Sequence, residues 1–239
     1  METKADPEME TRKALARKTM DALEDRDAMG VLEDLIAEND GSTAVQACGD
    51  LMNHFYWQKK NLGTCLTFAR AGLQHGLVQA RGLEGNAAVE LQSAAKALAY
   101  DLASFTWPGW NEEGMTPSAN EVAEGFQAAR TNLRLAQELK KPALPMSRAW
   151  WMLAAHEMGA GNSEAAIEGF QKAAELADEA EQEGEKLLSE GFAIAVEVVQ
   201  KKDGAEECLA KHLQKLRAVK DGEFFAGQIE TALKVYSAE

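Results

Sequence analysis

Cysteine, proline, aromatic residues and positive charge are all in short supply in this chain. The three cysteines, Cys48, Cys65 and Cys208, are an odd number and lack metal-ligand spacing. They exclude a disulfide framework or a zinc site and read as small core residues on apolar helix faces in a reducing cytoplasm. Lysine and arginine total 25 against 39 acidic residues, for a formal charge of −14. That balance argues against nucleic acid as the ligand, because phosphate binding needs a basic surface. It leaves a basic or neutral peptide compatible with the chain's field. No run approaches the roughly 18 continuous apolar residues of a membrane span, so no membrane partner is expected. The opening METKADPEMETRKALARK is charged throughout and lacks the apolar stretch of a secretory signal.

Recognisable chemistry is missing as well. No G-x-x-x-x-G-K-[ST], G-x-S-x-G, H-E-x-x-H or strand-linked G-x-G-x-x-G occurs. His54, His75, His156 and His212 lie on four separate helical segments, and none has a second histidine at i+3 or i+4. The carboxylate pairs Glu206-Glu207 and Asp178-Glu179 sit opposite apolar helix faces and read as solvated surface. No catalytic residue, metal ligand or cofactor is predicted, and an enzymatic role has no motif behind it.

What is present is a surplus of Ala, Leu, Glu, Gln and Lys, all good helix formers, with β-branched residues too sparse and irregular for strands. Caps and breaks predict helices over about 7–25, 27–39, 42–59, 61–76, 86–105, 118–140, 147–159, 163–182, 185–201, 204–218 and 222–236. Asp6-Pro7-Glu8 is a start signal, Ser42 or Thr43 is the expected cap of the third helix, and Ser118 with Glu121 forms a capping box. Pro142 and Pro145 are expected to punctuate the gap before 147. The fold class is all-α: helices joined by short turns, packed antiparallel.

Repeats organise the array. Glu124-Gly125-Phe126-Gln127 recurs 44 residues later as Glu168-Gly169-Phe170-Gln171, each followed by small residues. The register divides the single domain 1–239 into an N-terminal pair (7–40), repeat-like pairs (42–80, 86–140, 147–182, 185–218), and a C-terminal capping helix (222–236). The stretch SFTWPGW at 104–110 falls in an extra loop, 106–118, that interrupts the period.

Ser147–Asp178 resembles a tetratricopeptide repeat. Trp150, Leu153, Ala154 and Gly161 fit its first helix and turn, and Ala166, Phe170 and Ala173 fit the small-aromatic-small set of its second. Glu157 and Asp178 depart from that pattern, and the period is longer than the family's. The resemblance implies a right-handed α-solenoid whose first helices line a concave groove for a peptide or partner protein. Carried over to that groove are Asp50, His54, Trp57, Lys96, Tyr100, Arg148 and Trp151. Adjacent Trp150 and Trp151 point about 100° apart on a helix, so one is expected in the core and the other, Trp151, towards the ligand. Trp107 and Trp110 either seal the array edge or form a partner-binding knob. The leading expectation is a cytoplasmic, non-enzymatic interaction scaffold; a helical enzyme or small-ligand sensor is the alternative, and self-association through the end helices a third reading.

Overall fold

The computed structural model describes residues 7–237, with side chains from residue 14 onward. Among these residues there are eleven α-helices, one 3-10 turn and no strand. The helices are α1 (Pro7–Asp25), α2 (Ala28–Glu38), α3 (Gly41–Trp57), α4 (Leu62–Ala80), α5 (Gly85–Phe105), α6 (Ala119–Glu138), α7 (Ala143–Gly159), α8 (Ser163–Glu179), α9 (Glu183–Val199), α10 (Ala205–Arg217) and α11 (Gly222–Tyr236). The 3-10 turn is Pro108–Trp110. No described helix is long and apolar enough to cross a membrane.

The sequence reading places the chain in one domain, whereas the contacts divide it into two compact units, with the boundary between Leu102 and Ala103 near the end of α5. In the first unit α3 packs on α4, α1 on α2 and α3, and α2 on α3 and α4. In the second unit α6 to α11 pack consecutively, and α11 also returns to α9 and to the 3-10 turn.

Among the described residues, side-chain caps open α2, α3, α4 and α6. Asp27 opens α2 by accepting from the Met29 and Gly30 N–H groups, both at 3.0 Å. The cap of α3 is Asp40 and not Ser42 or Thr43. Its two carboxylate oxygens accept from the Ser42 and Thr43 N–H groups at 3.0 Å and from the Thr43 hydroxyl at 2.7 Å, more than one hydroxyl cap satisfies. The Ser118–Glu121 capping box forms as expected, with the Ser118 N–H donating to Glu121 Oε2 at 2.7 Å. The side chains of the Asp6-Pro7-Glu8 signal lie outside the described residues.

Two boundaries differ from the sequence reading. Helix α7 starts at Ala143, so Pro145 lies in its first turn, where a missing N–H breaks no intrahelical bond. Helix α4 runs through Gly76 to Ala80. Gly72 and Gly76, one turn apart, are close-approach positions: a Cβ on Gly72 would lie 2.6 Å from Cys48 Cβ and 2.8 Å from Leu98 Cδ1. A Cβ on Gly76 would lie 3.2 Å from Val45 and 3.4 Å from Ala95. Tertiary contact keeps these glycines helical where propensity alone predicts a stop.

Candidate functional site

The nine residues singled out from the sequence separate into a buried group, a surface ion pair and a partly open helix face. The buried group starts at SFTWPGW. Helix α5 ends at Phe105, Trp107 is extended, and Pro108 begins the 3-10 turn, closed by Asn111 in the left-handed region at φ 48°. Trp107 is 2% exposed, and its Nε1 donates to the Ala155 carbonyl at 2.8 Å. A Cβ on Gly109 would overlap the Trp107 ring, so the glycine lets the indole fold back over the turn. Trp110 meets Trp107 edge-on at 4.7 Å and stacks on Trp151 at 5.6 Å, with its Nε1 donating to Ser104 Oγ at 3.2 Å. Trp151 continues to Phe192 at 5.0 Å, and Phe192 to Phe170 at 5.3 Å.

Trp151 is 6% exposed, and the expectation that it faces a ligand is corrected. Its neighbour Trp150 is the half-buried indole, packed on the Leu133, Ala136 and Ala149 cluster. The two adjacent indoles do point to different surroundings, but Trp151 takes the core and Trp150 the more open side. The loop after α5 supplies the Trp107 and Trp110 rings that pack against Trp151. Trp107 likewise forms part of the core, and Trp110 is half-buried.

His156 sits in this same unit. Its Nε2 lies 2.9 Å from the Ala103 carbonyl, its ring stacks on Phe126 at 5.9 Å, and burial pushes its pKa down to about 4. A neutral ring donating to a main-chain oxygen fastens α7 to residue 103 and is unsuited to shuttling protons near neutrality. His212 makes the same kind of contact, Nε2 to the Leu187 carbonyl at 2.7 Å. Arg148 is exposed and pairs with Glu185, its Nε 3.0 Å from Oε2 and its Nη2 2.5 Å from Oε1.

The remaining candidates belong to the first unit. On α3, Asp50 and His54 are half-buried, and Trp57 is 53% exposed. Trp57 meets Tyr56 edge-on at 4.8 Å, and the Lys60 ammonium lies 5.5 Å from its ring centre. Tyr56 is buried, and Phe55 stacks on Phe68 at 5.9 Å. Lys96 and Tyr100 are half-buried on α5. One turn beyond Lys96, desolvation pushes the Asp101 carboxyl up to about 6, opposed by the Lys96 charge.

The cysteines divide. Cys48 and Cys65 are buried, and desolvation pushes both thiols up to about 12; Cys208 is exposed, against the expectation that all three are core residues. Among the described residues, no group of three or more His, Cys, Asp or Glu is gathered closely enough to hold a metal ion.

Sequence reasoning passed over one surface. Between α2 and α4 lies an open groove of about 490 Å³. Helix α2 contributes Met29, Leu32, Glu33, Ile36 and Ala37, the spacing of a single helix face. Helix α4 contributes Ala71, Gln74, His75 and Val78 at i, i+3, i+4 and i+7. Met29 and Val78 stand at its rim, 56% and 45% exposed. The signal was the doubled stripe itself, hidden because α4 was expected to stop at Gly76, two residues short of Val78. A second open hollow, of about 580 Å³, surrounds the start of α8 and is polar, with Arg130 and Glu157 facing each other at 3.8 Å. Comparison with protein-family models, with curated proteins and with solved structures finds no match to this chain.

Proposed function

We propose that the chain is a non-enzymatic interaction module, built on helix hairpins of the tetratricopeptide kind, that binds a partner protein by taking one of the partner's helices into the α2–α4 groove. One observation carries this reading: two apolar helix stripes face a common groove, and their large side chains Met29 and Val78 remain exposed. Covering a side chain of this size is worth roughly 1.5–3 kcal/mol when burial is complete, a strong bias towards an occupant. A groove between two helices matches the way amphipathic helices are recognised, by anchors spaced one turn apart.

The hairpin part of the proposal draws on α7 and α8. A Cβ on Gly169 would lie 2.8 Å from Ala154 Cβ, and Ser147 Oγ donates to the Ala173 carbonyl at 2.7 Å. Small residues at these sites let the two helices approach as the repeat family requires. Exposed Trp57, with Asp50 and His54 on the same helix and Lys96 and Tyr100 on α5, remains the proposed flanking contact surface.

The test is site-specific photocrosslinking in the source cell from a reactive residue at position 78, with position 172 on α8 as control. A discrete adduct is expected from 78 and none from 172. The change Met29→Ser, made in the chain that carries the reactive residue at 78, should sharply reduce it while leaving the melting temperature unchanged, since Met29 is exposed. An adduct undiminished by Met29→Ser would remove the groove from the proposal.

A further inference from the structure

The electrostatics of this groove say which kind of helix suits it, provided the groove is the docking site proposed above. Glu33 is its one charged lining residue, and it stands on the exposed face of α2. Its acidic neighbours are already engaged. Asp34 is held by Arg26, Glu38 accepts from Lys18 at 2.7 Å, and Asp27 is committed to capping α2. Among the described residues the Glu33 side chain makes no hydrogen bond or ion pair, though it lies within the field of Arg26. The groove therefore presents an apolar floor with one carboxylate at its edge that no cation contacts directly, on a chain of net charge −14.

We infer that the occupant is a basic amphipathic helix: an apolar stripe spaced i, i+3, i+4, i+7, flanked by Lys or Arg, one of which pairs with Glu33. The α2 stripe from Met29 to Ala37 covers nine residues, about 12 Å from end to end, so just over two turns of the occupant fill it. A second copy of this chain would bring another net charge of −14 against the first, and an anionic lipid surface would be repelled for the same reason. A cationic helix is drawn in at long range and gains a rim ion pair on docking.

The experiment titrates the isotopically labelled full chain with three synthetic 16-residue helical peptides, following backbone amide shifts at low salt. One peptide has a Leu stripe and Lys flanks, the second the same stripe with Glu flanks, and the third Lys flanks with the stripe broken by Ser. The Lys-flanked stripe peptide should shift amides within 29–37 and 71–78, and bind about tenfold tighter than its Glu-flanked counterpart. Glu33→Gln should weaken it about threefold, the size of one exposed charge pair. Met29→Ser/Val78→Ser should remove most of the binding. Equal affinity for the Lys- and Glu-flanked peptides, or no effect of Glu33→Gln, overturns the basic-helix inference while binding that still depends on Met29 and Val78 upholds the groove. If no peptide shifts these amides, or the broken-stripe peptide shifts them equally, the groove reading itself fails and the inference with it.

Discussion

From Ala103 onward the largest side chains are inside: Trp107, Trp151, Phe170 and Phe192 are all buried and in edge or stacked contact. Up to Leu102 the core is Ala, Val, Leu, Cys and Met with two aromatics, Tyr56 and Phe68, and the helices close on one another through Gly72 and Gly76. The outer surfaces differ in the opposite sense. Of the exposed large apolar side chains among the described residues, Met29, Trp57, Val78, Leu83 and Val89 are in the first unit, and Phe224 alone is in the second. The second unit consumes its aromatic area internally, while the first seals with small residues and leaves apolar area available to a partner. Tryptophan reads out this contrast directly, because Trp57 belongs to the first unit and Trp107, Trp110, Trp150 and Trp151 to the second.

The sharpest way to break the contrast is Trp107→Ala, which removes the centre of the aromatic cluster and its hydrogen bond to Ala155. It should cost about 3–5 kcal/mol in denaturant unfolding followed by tryptophan fluorescence. A loss below about 1 kcal/mol would show that the insertion is not part of the core. The next test uses pH, where the units should move in opposite directions. Between pH 6.5 and about 4 the unfolded chain takes up a proton that buried His156 refuses. The second unit should lose stability as pH falls through this window, by about 3 kcal/mol in all. The unfolded Asp101 carboxyl releases its proton near 3.8, whereas the folded one keeps it to about 6, so the first unit should lose stability as pH rises across that range. Amide exchange for residues up to 102, with tryptophan fluorescence for the rest, measures both; His156→Gln and Asp101→Asn should each flatten one slope. Slopes of the same sign in both units would contradict this assignment.

A smaller effect tests the close approach in the first unit. Gly72→Ala drives a methyl into Cys48 and Leu98 and should cost about 1–3 kcal/mol by overpacking, despite its better helix propensity. Stabilisation by this change would mean that α3 and α4 can separate at little cost. The smallest effect is expected at Trp57→Ala, within about 0.5 kcal/mol of the parent, because the indole is largely in water. A loss comparable to that of Trp107→Ala would place Trp57 in the fold and remove it from the candidate surface.

The repeat motif shows how far sequence equivalence reaches. Phe126 and Phe170 occupy the same place in Glu-Gly-Phe-Gln, yet Phe170 is fully buried and Phe126 is half-exposed, with the Arg130 guanidinium 4.2 Å from its ring centre. The glycines before them both sit at close approaches, Gly125 against Thr106 and His156, and Gly169 against Ala154. The motif records a requirement for close helix approach, and the environment of the following ring depends on what each helix meets. Helices capped by Asp27, Asn61 and Ser118 were legible because a cap is a local interaction between residues two or three apart. The candidate site was legible only in part. Trp57 is exposed, but Trp151 and Trp107 are internal, and the α2–α4 groove went unread because it depends on two helices meeting.

By itself the sequence determined the helical class, nearly every helix boundary and the location of the aromatic loop between α5 and α6. These follow from propensity, capping and periodicity, all short-range along the chain. Tertiary structure decided which of two adjacent tryptophans is enclosed, why Gly72 and Gly76 lie within a helix, and where apolar surface is left over. Those outcomes depend on contacts between residues dozens of positions apart, such as Trp107 Nε1 with the Ala155 carbonyl, which no local pattern encodes.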